Sequence, residues 1–148
     1  MLRFPHQLTR LDHYPQNLVV HSQQGRQTLR DEHETAAKHG LNGLGYHYWI
    51  TEEGQIFEVR PMFAKGAHSL SHNCWWGVCL SGDCRKRAPT PQQYEALGRL
   101  AQYLAGGAES FRLCLHRDLD DTDCPGDYFD RGKVPLVAPC LWTVKKEK

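Results

Sequence analysis

The run "FRLCLHRDLDDTDCPGD" at residues 111–127 begins as an apolar β-type stretch and ends in an acidic loop closed by a cysteine, a proline and a glycine. Its first half predicts a buried strand that delivers His116 at its end, where sheet proteins commonly expose site residues. Cys124 follows eight positions on, with Asp118, Asp120, Asp121 and Asp123 between the two. Three readings compete for this pair: a metal clamp, half of a disulfide beside an unrelated histidine, and an acidic loop for a hard cation.

The acidic-loop reading fails on register. An EF-hand needs Asp or Asn at alternate positions, glycine at the sixth and glutamate at the twelfth, and "DLDDTDCPGDYF" lacks the last two. The disulfide reading turns on the compartment. Six cysteines, at 74, 79, 84, 114, 124 and 140, would suit a secreted scaffold. The first twenty residues, however, are broken by Pro5, His6, Gln7, Arg10, Asp12 and Pro15 and hold no apolar run fit for a signal-peptide core. The expectation is a cytoplasmic chain with reduced thiols, free to bind metal.

Zinc takes nitrogen and sulfur ligands in a tetrahedron, and a catalytic site leaves the fourth position for water. His21, His116 and Cys124 meet that requirement, although spacing alone does not select ligands spread over 103 residues. No C-x2-C pair is present, and Cys74, Cys79 and Cys84 stand five apart, which argues against a zinc finger or ribbon.

Working outward, "NLVV" at 17–20 reads as a strand that delivers His21, followed by the polar loop "SQQGRQ". "TLRDEHETAAKHG" predicts a helix capped by Thr28, with Asp31 and Glu32 at its positive end and Gly40 at its close. "GYHYWI" at 45–50 and "QIFEVR" at 55–60 predict a β-hairpin across "TEEG"; strict alternation puts Tyr46, Tyr48 and Ile50 on one face and His47 and Trp49 on the other. "WGVCLSG" at 76–82 predicts another buried strand. "TPQQYEALGRLAQYLAGG" carries a Thr90–Gln93 capping box, Pro91 in the first turn, a stripe of Tyr94, Leu97, Leu100, Ala101 and Leu104, and a glycine stop. After Asp127, Pro135 and Pro139 interrupt the pattern and "KKEK" reads as a frayed end. Strands interleaved with helices and a hairpin predict an α/β (α+β) fold, a mixed central sheet flanked by helices, in a single domain spanning 1–148.

Composition bounds the partners. With 148 residues, 18 Lys+Arg against 17 Asp+Glu and a net charge of +1, the chain is long enough for one real core and has no polyanion-binding footprint, so no nucleic-acid partner is expected. "VPLVAPCLW" at 134–142 is too short to cross a bilayer, so no membrane insertion is expected either.

Five stretches in order carry a resemblance: "LVVHS" at 18–22, "LGYHYWITEEGQIFEVRP" at 44–61, "GAHSLSHN" at 66–73, "WGVCLSGD" at 76–83 with "PTPQQYEAL" at 89–97, and "HRDLDDTDCPGD" at 116–127. Together they resemble the type-2 N-acetylmuramoyl-L-alanine amidases, zinc enzymes that include short phage endolysins and the amidase-active peptidoglycan recognition proteins. The resemblance implies an amidase type-2 fold, one zinc ion held by His21, His116 and Cys124, and a peptidoglycan or muropeptide substrate. It further implies Tyr46 and Thr122 as catalytic residues, with His68 and Asn73 as substrate contacts. Thr122 stands where family members carry a lysine or a threonine. Cys79 and Cys114 read as core thiols. A monomeric endolysin reaching the wall after release fits this profile; a recycling amidase, an antibacterial effector and a non-catalytic peptidoglycan-binding module are the alternatives, and the retained Cys124 favours an enzyme over the last.

Overall fold

The structure, a computed structural model, describes residues 3–143 apart from 5, 24–28 and 39–42. Six strands form one sheet in the order β3-β2-β4-β1-β5-β6: β1 (Asn17–Ser22), β2 (Tyr48–Ile50), β3 (Ile56–Glu58), β4 (Trp76–Leu80), β5 (Phe111–Leu115) and β6 (Cys140–Trp142). All neighbouring pairs are parallel except the β2–β3 hairpin, so the sheet is mixed as expected. The helices are α1 (Leu29–Lys38), α2 (Pro91–Ala105) and the single turn α3 (His116–Leu119). The proposed caps of α1, Thr28 and Gly40, and the terminal "KKEK" lie outside the described residues.

The central strands are apolar on both faces because each face is covered. On one face Leu18, Val20, Tyr48, Ile50, Val78, Leu80, Leu113 and Leu115 pack with Tyr94, Leu97, Leu100, Ala101 and Leu104 of α2 into the main core. The Thr90–Gln93 capping box forms as the sequence predicts, and the Gln93 amide also donates to Ser81 O at 2.8 Å. A cavity of about 910 Å³ lies on this α2 side, lined by Pro89, Pro91, Tyr94 and Val134 among others. Its size gives it no chemistry, because the metal-ligating side chains are elsewhere.

The other face carries the site. Register places His21 beside Cys79, Cys79 beside Trp49, and Val19 beside Cys114, so these side chains share one surface of the sheet. A smaller cluster of Leu44, Trp49, Val59 and Cys79 covers part of it, with Leu29 of α1 and Tyr46 packed against it.

Two expectations are corrected here. Tyr46 does not share a face with Tyr48 and Ile50; it packs with Trp49, their rings 6.4 Å apart. Alternation fails because β2 begins only at Tyr48 and the His47 carbonyl accepts from both Val59 and Arg60, a bulge-like arrangement that turns the preceding residues over. The second concerns the end of the chain: β6 forms at the sheet edge directly after Pro139, where the prolines had obscured a strand only three residues long.

His47 shows how tightly the strand ends are wired. Its Nε2 donates to Ala64 O at 2.6 Å and its Nδ1 accepts from the Gly77 amide at 3.1 Å. Burial pushes its pKa down to about 4, against a raising effect of the Ala64 carbonyl and a lowering one of Arg60. The unfolded chain therefore binds a proton that the folded chain refuses between about pH 6.5 and about 4, so this contribution is intact above pH 6.5 and falls on acidification at up to about 1.4 kcal/mol per pH unit. Urea melts at pH 7 and pH 5 should show the lower midpoint at pH 5, and His47→Gln should reduce the difference without abolishing it, since the buried His68 and His21 resist protonation in the same way.

Candidate metal centre

Three elements converge on the site. His21 lies near the end of β1, His116 opens α3 directly after β5, and Cys124 follows in the loop that α3 begins. One ligand atom from each of the three lies within 4.8 Å of the others. His21 is 1% exposed and Cys124 6%. The His21 and His116 rings are 4.5 Å apart between centroids, and Cys124 Sγ is 3.7 Å from His21 Nδ1.

Hydrogen bonds fix which nitrogen each imidazole offers. His68 Nε2 lies 2.9 Å from Trp75 O, an acceptor, so that nitrogen carries the proton and His68 Nδ1 is left as an acceptor. His21 Nε2, 3.0 Å from His68 Nδ1, must then donate, which leaves His21 Nδ1 with its lone pair towards Cys124. His116 Nε2 lies 2.9 Å from Asp120 Oδ2 and donates to it, leaving Nδ1 in the same way. Burial pushes His68 down to about 3 and, with His68 and His116 nearby, holds His21 well below its ordinary value, so both stay neutral.

The set fits zinc. It supplies two neutral imidazole nitrogens and a sulfur, each imidazole oriented through its other nitrogen, as metal-binding histidines are. Burial pushes the Cys124 thiol up to about 11, so only a nearby cation would make it a thiolate.

Two glycines make the geometry possible. A Cβ on Gly77 would stand 2.6 Å from the His68 ring, so the bare strand lets that ring lie against β4 behind His21. Gly126 has φ +120°, and a Cβ there would meet the Cys84 and Arg85 backbone at 2.3–2.4 Å, where the ligand loop presses on the 84–85 turn. Ser22 also bridges these segments, donating to Pro125 O at 2.5 Å.

Tyr46 stands beside His21 with ring centroids 5.0 Å apart. Cys79, burial, Cys124 and Glu32 push its phenol well above the ordinary range, so it remains a hydrogen-bond donor. Thr122 Oγ1 accepts from the Cys124 amide at 3.2 Å, a loop-forming bond that leaves the hydroxyl hydrogen available. Asn73 Oδ1 accepts from the amides of His68 and Ser69 at 2.8 and 2.9 Å and so shapes the loop that carries His68. His68 itself is 7% exposed, with both ring nitrogens engaged inside the protein.

The four aspartates divide by role. Asp118 accepts from the Leu115 amide at 2.9 Å and pairs with Arg131 through both oxygens at 2.7 Å, fixing α3 to the segment after the loop. Asp120 holds His116; despite burial, hydrogen bonds from Ser69, Ser71, the Leu70 amide and His116 keep its carboxyl well below the usual range. Asp121 and Asp123 are exposed. The special place of Asp120 is invisible in a loop reading and becomes clear only once His116 starts a helical turn, since position i+4 then lies beneath it. Glu32 was also passed over: its Oε2 is buried without a hydrogen-bond partner among the described residues, and burial raises its pKa.

This arrangement, a mixed sheet with a His, His, Cys cluster at the mouth of its central strands, accords with the match of the N-acetylmuramoyl-L-alanine amidase sequence profile to residues 11–127, and the chain belongs to that family. Among curated proteins it is 31% identical over 102 residues to peptidoglycan-recognition protein LB of Drosophila melanogaster, a match covering 66% of this chain and 43% of that protein. It is 32% identical over 93 residues to the human N-acetylmuramoyl-L-alanine amidase, covering 60% of this chain and 16% of that one. The matched region thus spans less than half the length of these relatives. The solved endolysin LysCS, an N-acetylmuramoyl-L-alanine amidase from Clostridium intestinale URNW, superposes with a TM-score of 0.82 at 28% identity, covering 90% of this chain and 89% of its own. No helix among the described residues is long and apolar enough to cross a membrane.

Proposed function

We propose that the protein is a zinc-dependent peptidoglycan amidase that hydrolyses the bond between the lactyl group of N-acetylmuramic acid and L-alanine, and that it works as an endolysin. The observation that carries the reading is the ligand set: two imidazoles locked to present Nδ1 beside one buried cysteine, in a chain of the amidase family. The endolysin role draws on the likeness to LysCS over nearly the whole of both chains.

When bound, zinc would polarise the carbonyl and lower the pKa of a bound water towards about 7. His21, His116 and Cys124 would hold it. The Tyr46 phenol, kept protonated, donates to the oxygen on which charge develops, and the Thr122 hydroxyl offers a second, neutral donor from the ligand loop. His68 acts here through His21 by fixing its tautomer, and Asn73 through His68 by fixing its loop. Together they preorganise the imidazole that would otherwise turn.

Thr122→Ala should lower kcat about 10-fold to 100-fold with KM little changed, the pattern of a donor used mainly in the transition state; an unchanged kcat would confine Thr122 to its bond with the Cys124 amide. Turnover on intact sacculi against soluble anhydro-muropeptides tests the endolysin role. Faster release from sacculi is the expected outcome, and activity confined to soluble fragments would point to recycling instead.

A further inference from the structure

The segment from Ser69 to His72, whose amides bond to Asn73 and the Ser69 hydroxyl, is tied to the metal site by one carboxylate. Asp120 Oδ2 accepts from the Ser69 hydroxyl at 2.5 Å and the Leu70 amide at 3.0 Å, and Oδ1 accepts from the Ser71 hydroxyl at 2.7 Å. Oδ2 also accepts from His116 Nε2 at 2.9 Å. The Asp120 side chain is 7% exposed, so these bonds form where water does not compete freely. At the crest of the segment, Leu70 is 93% exposed, the most open large hydrophobic side chain among the described residues. A short loop fixed by three hydrogen bonds to a buried carboxylate, yet holding a leucine out to solvent, has its ordering entropy already spent before any ligand arrives.

We propose that Asp120 joins a metal ligand to a substrate-contacting segment: one carboxylate both orients the His116 imidazole and presents Leu70 as an apolar contact for methyl-bearing groups of a bound muropeptide. The proposal rests on the amidase reading and deepens it. The two ends of the clamp share an oxygen, so each sets the position of the other, and metal binding at His116 is coupled reciprocally to the order already built into the segment.

The experiment uses the full chain as wild type, Asp120→Ala, Ser69→Ala/Ser71→Ala and Leu70→Ser. Zinc affinity is measured by chelator competition, order in residues 69–72 by amide hydrogen exchange, and kcat and KM on a purified muropeptide. Asp120→Ala should lose about 10-fold to 100-fold in zinc affinity, as removal of an outer-shell carboxylate does, and should exchange faster at 69–72. The serine pair should speed exchange with a much smaller loss of zinc affinity. Leu70→Ser should raise KM about tenfold with kcat held, the scale of one lost apolar contact. Wild-type zinc affinity or wild-type exchange in Asp120→Ala overturns the coupling, and an unchanged KM in Leu70→Ser overturns the substrate contact. Should Asp120→Ala fail to fold, Asp120→Asn, which removes the negative charge that both ends share, should lower zinc affinity and speed exchange at 69–72 together, and a change in only one of the two overturns the coupling. A wild-type chain that neither binds zinc nor cuts would defeat the amidase reading itself, whereas a competent wild type with an indistinguishable Asp120→Ala defeats only this inference.

Discussion

Cys124→Ala is expected to lose stoichiometric zinc and all measurable release of stem peptide while the chain stays folded. The sulfur is one of three ligands, and two imidazoles alone make a poor catalytic zinc site. Cys124 is 6% exposed, and its Sγ stands 3.7 Å from His21 Nδ1, so no other described side chain completes the ligand group in its place. The loss of a small buried thiol should cost about 1–2 kcal/mol through packing, far too little to unfold a domain of ordinary stability. Metal analysis after dialysis, circular dichroism and product release separate the two effects. Retained cleavage in the metal-free variant would overturn the assigned ligand set.

Gly126→Ala should produce a large loss of stability for a single methyl addition near the site. At φ +120° an L residue is strained by about 1–3 kcal/mol, and its Cβ would in addition lie 2.3–2.4 Å from the Cys84 and Arg85 backbone, which cannot rotate away as a side chain can. The sum is a loss of about 3 kcal/mol or more, and relief requires moving the loop that carries Cys124 two residues earlier. Chemical denaturation should show a lower midpoint with an unchanged slope, and zinc affinity should fall with it. A variant of wild-type stability would mean that the ligand loop does not press on the 84–85 turn.

Much of this was legible in the sequence, for reasons of chemistry. His21, His116 and Cys124 could be selected because strand ends and ligand types are local properties, and the ordered motifs around them narrowed the choice. The Thr90–Gln93 box announced α2 in the same local way. What escaped depends on contacts across the chain. The period-2 pattern at 45–50 assigned Tyr46 to the wrong face because a bulge opposite His47 is set by Val59 and Arg60, not by the strand's own residues. His68 was placed at the groove, but its position against Gly77 and His21 comes from the pairing of β1 with β4. Asp120 looked like one of four equivalent acids until α3 put it under His116.

His68→Phe tests the tautomer argument on its own. An aromatic ring, somewhat larger than imidazole, is kept and the acceptor for His21 Nε2 is lost, so zinc affinity should fall about 10-fold to 100-fold; an unchanged affinity would show that His21 needs no partner behind it.

The most direct test of the zinc amidase is mass spectrometry of a purified N-acetylmuramoyl peptide incubated with the metal-free protein and with the same protein after zinc is restored. The account predicts that only the zinc-restored protein yields two fragments, a free lactyl carboxylate and a peptide with a free alanine amine, their masses summing to the substrate plus one water. Intact substrate in the presence of stoichiometrically bound zinc, or equal cleavage without metal, would contradict it.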